Sequence, residues 1–378
     1  DNKYTFGLAL IKIKLVVIGR ILSFCDIIMN KRILIAPLDW GLGHATRCIP
    51  IIKHILESGN EPIIAASGRP LLLLQSEFPN VETVEFDGYN ISYPTGSGMA
   101  WKMFKSTPHI LKRIKEEHLE LDALIDKLRL DAVISDNRFG LHTVKVPCVY
   151  MTHQVMIKAP FFEKQLYRMH ANYMRKFSRV WVPDFEKNGL SGDLSHKFPL
   201  PFNGEYIGAL SRFSDVNSIE GTDVLVIISG PEPQRTRFEK LVLAQLKEFD
   251  GTAVAVLGTP DKGEDRREGN VRIVSHLKAS DLAQEIARAK LVVSRSGYST
   301  IMDLAAMGKK AVFVPTPGQT EQEYLAKKYH DEGTHMMMMQ SSFKLTKAFN
   351  KRDRFTGFQP VSINDYKLAI DDFLTSLS

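Results

Sequence analysis

Cysteine is scarce in this sequence. Its 378 residues contain only Cys25, Cys48 and Cys148, and no pair has C-x-x-C spacing. This excludes a disulfide scaffold and a cysteine zinc site, and it favours a reduced, intracellular setting. The hydrophobic fraction of 44% and the charged fraction of 24% are typical of a globular protein, so disorder, collagen and coiled coil are also excluded.

A long uninterrupted apolar run is also missing. The most apolar segment, residues 6–28, is broken by Lys12, Lys14 and Arg20, so no run reaches the roughly 18–20 residues that a membrane-spanning helix needs. No A-x-A-like site follows it, which disfavours a signal peptide. The segment is either an amphipathic surface anchor or a doubtful extension before a true start at Met29. We favour the second interpretation because position 1 is not Met.

Short apolar runs that alternate with helical stretches follow from Arg32 onward. The predicted strands are 33–36, 62–66, 81–86, 132–134, 148–151, 180–182, 224–228, 252–257, 271–274, 291–293 and 311–314. The predicted helices are 45–58, 69–77, 101–130, 161–177, 235–249, 279–288, 300–307 and an amphipathic C-terminal helix at 362–377. Buried, non-alternating strands between helices indicate parallel sheets covered on both faces. The sequence therefore predicts an α/β protein with two Rossmann-like doubly wound domains.

The predicted domains are an N-terminal domain at 29–210 and a C-terminal domain at 211–345, followed by a tail and helix at 346–378. A Gly/Pro/Ser-rich stretch at 183–221 is interpreted as the connection between them. Two doubly wound sheets would face each other across a cleft at the carboxyl ends of their strands.

The first candidate site is the turn Trp40–His44, between a predicted strand and a helix. Gly41 and Gly43 permit a tight turn and a close approach to a ligand. G-x-G-x-x-G is absent and the next strand ends without an acid, so a dehydrogenase is not expected. His44 on such a turn is suited to general-base chemistry, whereas a helix-capping role is the alternative. Asp136 also follows a strand and is either a second candidate base or an ordinary polar strand end.

The second candidate site is Ser294–Thr300, again between a strand and a helix. Ser296, Gly297 and Thr300 offer N–H groups and hydroxyls to an anion such as a diphosphate. Asp303 lies one turn into the helix, where its carboxylate could accept a bond from a ribose hydroxyl. A capping box that uses Asp303 is an equally simple interpretation.

Two further loops follow strands of the second half. Gln319, Glu321 and Gln322 come after Pro315–Gly318 and suit a polyhydroxy ligand such as a sugar. Ser229 and Gly230 form a weaker, small-residue strand end. Because the carboxyl ends of parallel strands share one edge, these loops and Ser294–Thr300 together predict a nucleotide site.

At these motifs the sequence resembles the GT-B glycosyltransferases, specifically the family of the bacterial lipid-linked N-acetylglucosaminyltransferase of peptidoglycan synthesis, with its family 28 C-terminal domain. Ser294–Gly308 matches the pattern S-R-S-G-x-x-T-x-x-[DE]-x-A-A-x-G throughout. Gly41–His44 is similar to the glycine-rich turn of the acceptor domain, and Glu321-Gln322 is similar to the end of the proline-flanked loop. The resemblance extends from about Lys31 to about Met339.

The resemblance implies a role for each matching residue. Ser296, Gly297 and Thr300 would face the diphosphate of a UDP-sugar, and Asp303 would bind the ribose. The uracil would contact His276 and Leu277. The transferred sugar would contact Gln319, Glu321 and Gln322. The acceptor would contact Gly41, Gly43, His44, His153 and Gln154. The family's G-G-S-Q-G loop is replaced by Ser229–Pro233, so phosphate contacts at Ser229 and Gly230 are less defined, and the acceptor is not identified.

The implied activity is transfer of a hexose or N-acetylhexosamine from a UDP-sugar to a lipid or cell-envelope acceptor. The resemblance implies inverting transfer at a site without metal or cofactor, and the absence of an Asp-x-Asp triplet from the chain agrees with this expectation. A sugar-nucleotide epimerase of the same fold and a non-catalytic nucleotide-sugar-binding protein are the alternatives.

The basic excess of the chain is localised. Residues 101–179 contain 15 Lys/Arg against 8 Asp/Glu, whereas the whole chain has a net charge of +6. Aromatic residues are interleaved with these charges at positions 161, 162, 167, 173 and 177. This pattern indicates either a contact with an anionic membrane surface or a solvated helix face. No nucleic-acid-binding motif is present, and a cytoplasmic protein, peripheral at the inner membrane face, is expected.

Overall fold

A computed structural model of the chain describes residues 30–89, 99–159, 162–213 and 221–377. The segment at 6–28 and the proposed start at Met29 lie outside the described residues.

The first half of the described chain forms a parallel seven-stranded sheet in the order β3-β2-β1-β4-β5-β6-β7. Its strands are β1 (Arg32–Pro37), β2 (Glu61–Ala66), β3 (Glu82–Glu85), β4 (Ala132–Asp136), β5 (Cys148–Met151), β6 (Arg179–Val182) and β7 (Gly204–Tyr206). The helices are α1 (Leu42–Glu57), α2 (Gly68–Glu77), α3 (Met99–Leu128), α4 (Glu163–Met174) and the short α5 (Asp193–His196). β4 and β5 are buried at every position, as expected for strands with helices on both faces.

The second half of the described chain repeats this plan, with the strand order β10-β11-β9-β8-β12-β13-β14. Its strands are β8 (Thr222–Ile227), β9 (Ala253–Val256), β10 (Asp265–Glu268), β11 (Val271–Val274), β12 (Ala289–Ser294), β13 (Ala311–Phe313) and β14 (Met336–Met337). The helices are α6 (Gln234–Leu246), α7 (Ala279–Arg288), α8 (Tyr298–Ala306), α9 (Thr320–Asp331), α10 (Leu345–Lys351) and α11 (Asp365–Thr375), with 3-10 turns at Gln340–Ser342 and Arg352–Arg354. Only the β10–β11 pairing is antiparallel among the described strands.

The predicted α/β class with two doubly wound sheets is confirmed, and each predicted strand is present with its ends within two residues. The structure adds β7 and β10, which the apolar pattern missed. β10 is exposed at all four positions, so its sequence has no apolar residues that would mark it as a strand. The methionine run at 336–339 contains the short edge strand β14.

The prediction that residues 183–221 connect the two domains is partly wrong, because much of this segment is folded onto the first sheet. β7 pairs with β6, and Leu194, Ile207 and Leu210 are buried. A short apolar segment rich in Gly and Pro resembles a linker in sequence, but here it closes the edge of the sheet.

The C-terminal helix α11 returns to the first domain. It begins at Asp365, three residues later than the predicted start, and it buries Tyr366, Ile370 and Phe373. Phe373 meets Trp181 of β6 edge to face at 5.6 Å, and Asp371 Oδ1 lies 2.7 Å from His54 Nε2 of α1. The end of the chain therefore ties the two halves together.

The strand orders place two switch points opposite each other. In the first sheet, the strands before β4 are added on one side of β1 and those from β4 onward on the other, so the strand order reverses between β1 and β4. In the second sheet, the strand order reverses in the same way between β8 and β12. Ligands bind at such points in doubly wound folds. In the described part of the chain, no helix is both long enough and apolar enough to span a bilayer.

We predict that Gly258→Ala destabilises the second domain. Gly258 follows β9 with φ of +66°, and an added Cβ would lie 2.4 Å from the carbonyl oxygen of Ile228. The left-handed backbone and this clash together should cost roughly 2–4 kcal/mol in unfolding free energy, measured by urea denaturation. Gly263→Ala is the matched control, since an added Cβ there has no atom within 4 Å. Equal effects of the two substitutions would contradict the prediction.

Candidate functional site

The turn before α1 brings its glycines against the second domain. Gly41 has φ of +86° and precedes the first residue of α1. Ser299 Oγ donates to the Gly43 carbonyl oxygen at 2.7 Å, and a Cβ on Gly43 would lie 3.4 Å from that hydroxyl. Gly41 therefore supplies the turn, and Gly43 permits a close approach between the two halves of the cleft.

His44 and Asp136 lie together at the switch point of the first sheet. His44 Nδ1 is 3.1 Å from Asp136 Oδ2, while the imidazole, whose side chain is 14% exposed, lines the cleft. Asp136 at the end of β4 is fully buried. The alternative prediction that Asp136 itself deprotonates an acceptor is therefore corrected, because a carboxylate without solvent access cannot reach a substrate oxygen. It can orient His44 instead.

Arg47 is the counter-ion of Asp136. Its Nε donates to Asp136 Oδ2 at 2.7 Å and its Nη2 donates to Oδ1. Burial by itself would raise the pKa of Asp136, but Arg47 and then His44 outweigh it and hold that pKa at about 2. Burial likewise opposes the charge of Arg47, and the Asp136 carboxylate reverses the effect and leaves the pKa of Arg47 raised.

His153 and Gln154, predicted to line the acceptor pocket, contact Glu321 of the second domain. His153 Nε2 lies 2.9 Å from Glu321 Oε1, and Gln154 Nε2 donates to Oε2. His153 also stacks on Tyr298 at 4.5 Å between ring centroids. Burial lowers the pKa of His153, whereas His153 lowers the pKa of Glu321 against the opposing effect of burial. These contacts join the first domain to the second across the cleft.

The loop before α8 presents Gly297 and Thr300 to the cleft, but Ser296 lies behind it. The Ser296 hydroxyl is fully buried and donates to the Gln322 carbonyl oxygen at 2.7 Å. The side chain of Ser296 therefore links the loop before α8 to α9. Its hydroxyl is not available for the predicted contact with a diphosphate.

Asp303 lines the same pocket and has partners from the connecting segment. Its Oδ1 accepts from Ser211 Oγ at 3.0 Å, and its Oδ2 accepts from Arg212 Nε at 3.3 Å. Burial raises the pKa of Asp303, and Arg212 opposes that shift. The capping-box alternative is wrong, because α8 begins at Tyr298 with Gly297 as its N-cap and Asp303 bonds elsewhere.

The remaining predicted donor residues lie around one cavity of about 160 Å³. Those that line it are Ser229, Gly230, His276, Leu277, Gln319, Glu321 and Gln322. Gln322 Oε1 accepts from the Thr316 N–H at 2.8 Å, so its amide oxygen is already used. His276 Nε2 and Gln319 Oε1 are buried without a hydrogen-bond partner among the described residues, which leaves them available to a ligand.

Arg295, the arginine of the S-R-S-G motif, is a structural cation beneath these loops. It donates to the carbonyl oxygens of Val314 at 2.9 Å and Pro315 at 3.1 Å, and it lies 4.2 Å from the Phe238 ring centroid. Burial lowers the pKa of Arg295 to about 9. The second domain therefore contains a buried cation.

A second cavity, of about 470 Å³, shares Trp40, Gly41, Ser229 and Gly230 with the first. It opens between the loops that follow β1 and β2 and the loop that follows β8. Arg69 spans it, with its Nε 3.1 Å from Asp261 Oδ1. The two cavities together form the cleft that the sequence predicted between the domains.

Sequence reasoning missed two polar residues of the cleft, Arg47 and Arg212, and included Ser299 only as part of the candidate loop Ser294–Thr300. Arg47 carried a usable signal, because it follows His44 by three residues and so lies on the same face of α1. Arg212 stands in a segment interpreted as a linker, where nothing in the pattern marks it. No group of three His, Cys, Asp or Glu side chains suitable for a metal ion is found among residues 30–89, 99–159, 162–213 and 221–377.

Comparisons with known proteins agree with this geometry. Residues 260–355 match the glycosyltransferase family 28 C-terminal domain. An uncharacterized glycosyltransferase of Methanosarcina acetivorans is 24% identical over 80% of this chain and 84% of its own length. The UDP-N-acetylglucosamine--N-acetylmuramyl-(pentapeptide) pyrophosphoryl-undecaprenol N-acetylglucosamine transferase of Caldicellulosiruptor saccharolyticus is 21% identical, over 69% of this chain and 73% of its own.

Among solved structures, the glycosyltransferase SnogD from Streptomyces nogalater superposes with a TM-score of 0.56 at 13% identity, covering 92% of this chain and 96% of its own. This likeness confirms the two-domain GT-B fold. The family match and the curated relatives confirm the resemblance to family 28.

We predict that Asp136→Asn destabilises the protein by about 3–5 kcal/mol at pH 7, because it leaves Arg47 buried without a counter-ion. The pKa of Asp136 lies below that of an unfolded aspartate, so the ion pair stabilises the fold above about pH 4 and is lost as the pH falls toward 2. The difference from wild type should therefore narrow when unfolding is measured at pH 3.

Asp126→Asn is the control for this substitution. Asp126 is 73% exposed and pairs with Lys145 at 3.2 Å, so its loss should cost less than about 1 kcal/mol. A similar cost for both substitutions would show that the buried pair contributes nothing beyond a surface contact.

Proposed function

Because the chain is a glycosyltransferase with the GT-B fold, we propose that it transfers a hexose or N-acetylhexosamine from a UDP-sugar to a lipid or cell-envelope acceptor. Transfer inverts the anomeric carbon and uses no bound metal in this proposal. The observation that carries it is the placement of His44, held by Asp136, in the same cleft as Gly297 and Asp303 of the second domain. The similarity to the Caldicellulosiruptor transferase, whose donor is UDP-N-acetylglucosamine, supports the UDP-sugar donor.

The donor lies along the second sheet in this proposal. The diphosphate sits at the start of α8, where N–H groups of Gly297 and its neighbours and the Thr300 hydroxyl can donate to it. Asp303 accepts from the ribose, and the uracil reaches His276 and Leu277. Arg212, now paired with Asp303 at 3.3 Å, is within reach of the same anion and can move to it.

The chemistry needs a base on the acceptor side. The acceptor oxygen attacks the anomeric carbon on the face opposite the diphosphate. Its proton passes to Nε2 of His44, the bond from the anomeric carbon to the phosphate oxygen breaks, and UDP leaves with that electron pair. Asp136 beside Nδ1 holds the ring with Nε2 toward the cleft and stabilises the imidazolium that forms.

The leaving diphosphate gains negative charge as this bond breaks. The N-terminal end of α8 provides donors that need little reorganisation, and the Arg212 guanidinium adds a donor once it moves from Asp303 to the diphosphate. Glu321 and Gln319 are placed to hold hydroxyls of the transferred sugar, and the Gln319 oxygen without a partner favours such a contact.

The first domain carries a surface suited to a lipid-linked acceptor and to the inner face of a membrane. Phe162 is 72% exposed, Met169 52% and Phe202 88%. Lys164 and Arg168 are exposed on α4, and each basic residue near an anionic membrane would contribute about 1 kcal/mol. Phe177, which the basic-aromatic pattern included, is buried in the core and is not part of this surface.

We predict that UDP-sugars raise the melting temperature of the protein, because a ligand that binds only the folded state stabilises it by mass action. A thermal-shift panel of UDP-, GDP- and dTDP-sugars tests which nucleotide the protein binds.

Asp303→Ala should weaken UDP binding at least about tenfold in calorimetry, since it removes a ribose acceptor. Asp331→Ala, on the exposed side of α9, is the control, and an unchanged UDP affinity in Asp303→Ala would contradict the donor site.

We predict that His44→Ala lowers kcat for sugar transfer about 10²–10⁴-fold, as expected for loss of a general base, while UDP affinity changes little. His54→Ala on the same helix is the control, because His54 contacts α11 away from the cleft. UDP release and transferred sugar are measured together. Full transfer by His44→Ala would exclude this base, release of an epimerised sugar would favour an epimerase, and donor binding without turnover would indicate a binding protein.

A further inference from the structure

Arg47 lies at the centre of a group of hydrogen-bonded side chains and has no role in the proposed reaction described above. The side chain is only 2% exposed and lies one turn after His44 on α1. Besides its two bonds to Asp136, its Nη1 lies 2.8 Å from Nδ1 of His153 and its Nη2 lies 2.9 Å from Nδ1 of His44. One guanidinium therefore contacts the base, the carboxylate behind it and a histidine that faces the second domain.

The contact with Arg47 determines the protonation of His153. A guanidinium only donates hydrogen bonds, so Nδ1 of His153 must accept and its proton must lie on Nε2. That proton points to Glu321 Oε1, 2.9 Å away. A continuous series of hydrogen bonds thus runs from Asp136 through Arg47 and His153 to Glu321, crossing the cleft between the domains.

At His44 the same guanidinium competes with Asp136. Nδ1 of His44 lies 3.1 Å from Asp136 Oδ2 and 2.9 Å from Arg47 Nη2. If the proton is on Nδ1, His44 donates to Asp136, and Nε2 is free to take a proton. If the proton is on Nε2, Nδ1 accepts from Arg47 and the ring cannot act as a base on the cleft side.

We propose that Arg47 is a positioning residue, which sets the charge and tautomer of His44 through Asp136 and ties this pair to Glu321 through His153. The inference rests on the proposed function for the role of His44 as the base. Arg47 itself touches no reacting atom in this proposal. Its effect is electrostatic, because its positive charge offsets the Asp136 carboxylate that would otherwise favour the imidazolium form of His44.

The groups that face His44 are few. They are Asp136 from β4, Arg47 from the same helix, His153 from the end of β5 and Glu321 from α9. Without Arg47, Asp136 keeps His44 as its nearest cation. The carboxylate is then no longer neutralised and should favour the imidazolium form of His44.

The test uses nitrogen-15 NMR of the histidine rings in the full chain, in wild type, Arg47→Met and Arg47→Lys, without substrate. In Arg47→Met we expect His44 to titrate about one pH unit higher than in wild type. In Arg47→Lys the charge is retained, so His44 should titrate near wild type. A lysine cannot hold Asp136 and His153 together, so His153 should lose its fixed Nε2 proton. If Arg47→Met does not fold, this second result still decides the question.

A kinetic measurement accompanies the spectra. UDP release from UDP-N-acetylglucosamine, UDP-glucose and UDP-galactose is followed from pH 5.5 to 9. The acid limb of the kcat profile in Arg47→Met should move with the His44 titration, whereas KM for the donor should change less than kcat. If no donor is turned over by wild type, the proposed function fails, but the NMR result for Arg47 stands separately.

Arg138→Met is the matched control. Arg138 is a fully buried arginine of the same domain, paired with Glu117 at 2.8 Å away from the cleft. It should lower stability and leave the His44 titration unchanged. An unchanged His44 titration in Arg47→Met, an equal shift in Arg138→Met, or an unchanged His153 tautomer in Arg47→Lys would overturn the proposal.

Discussion

The ion pair between Arg47 and Asp136 is the constraint on which the rest of the cleft depends. Both charges are buried, so each must be satisfied by the other in a nearly fixed geometry. This holds the first turn of α1 against the end of β4. His44, one turn before Arg47, is thereby placed at the mouth of the cleft instead of pointing into solvent.

The same constraint extends across the two domains. His153 accepts from Arg47 and donates to Glu321, and the Ser299 hydroxyl reaches the Gly43 carbonyl oxygen from the other side. The turn before α1 and the start of α8 therefore meet across the cleft. Gly43 is the glycine at this contact, since a Cβ there would lie 3.4 Å from Ser299 Oγ.

In the second domain, two arginines lie near the cleft. Arg212 reaches Asp303 from the connecting segment, and Arg295 lies buried beneath the loops, where it donates to backbone carbonyl oxygens and to Gln340 Oε1. A charge count along the sequence does not distinguish buried from exposed residues, whereas a buried cation acts in a low-dielectric interior.

The α/β class could be predicted from the sequence because buried parallel strands keep a continuous apolar pattern, as in β4 and β5. Edge strands such as β7 and β10 lack that pattern, since one side of an edge strand has no neighbour to pack against. The loops Gly41–His44, Ser294–Thr300 and Gln319–Gln322 were also predictable, because glycine, serine and amide residues at strand ends are local signals.

By itself, the sequence determined the two sheets and the loops that end their strands, since both depend on the nature of residues that are neighbours in the chain. Only the tertiary structure decided which side chains face a ligand. It buried Ser296 and Asp136, and it brought Arg47, His153 and Glu321 into contact from three separate segments. Such contacts depend on distances between residues up to 274 positions apart in the chain, from Arg47 to Glu321, and no local pattern records them.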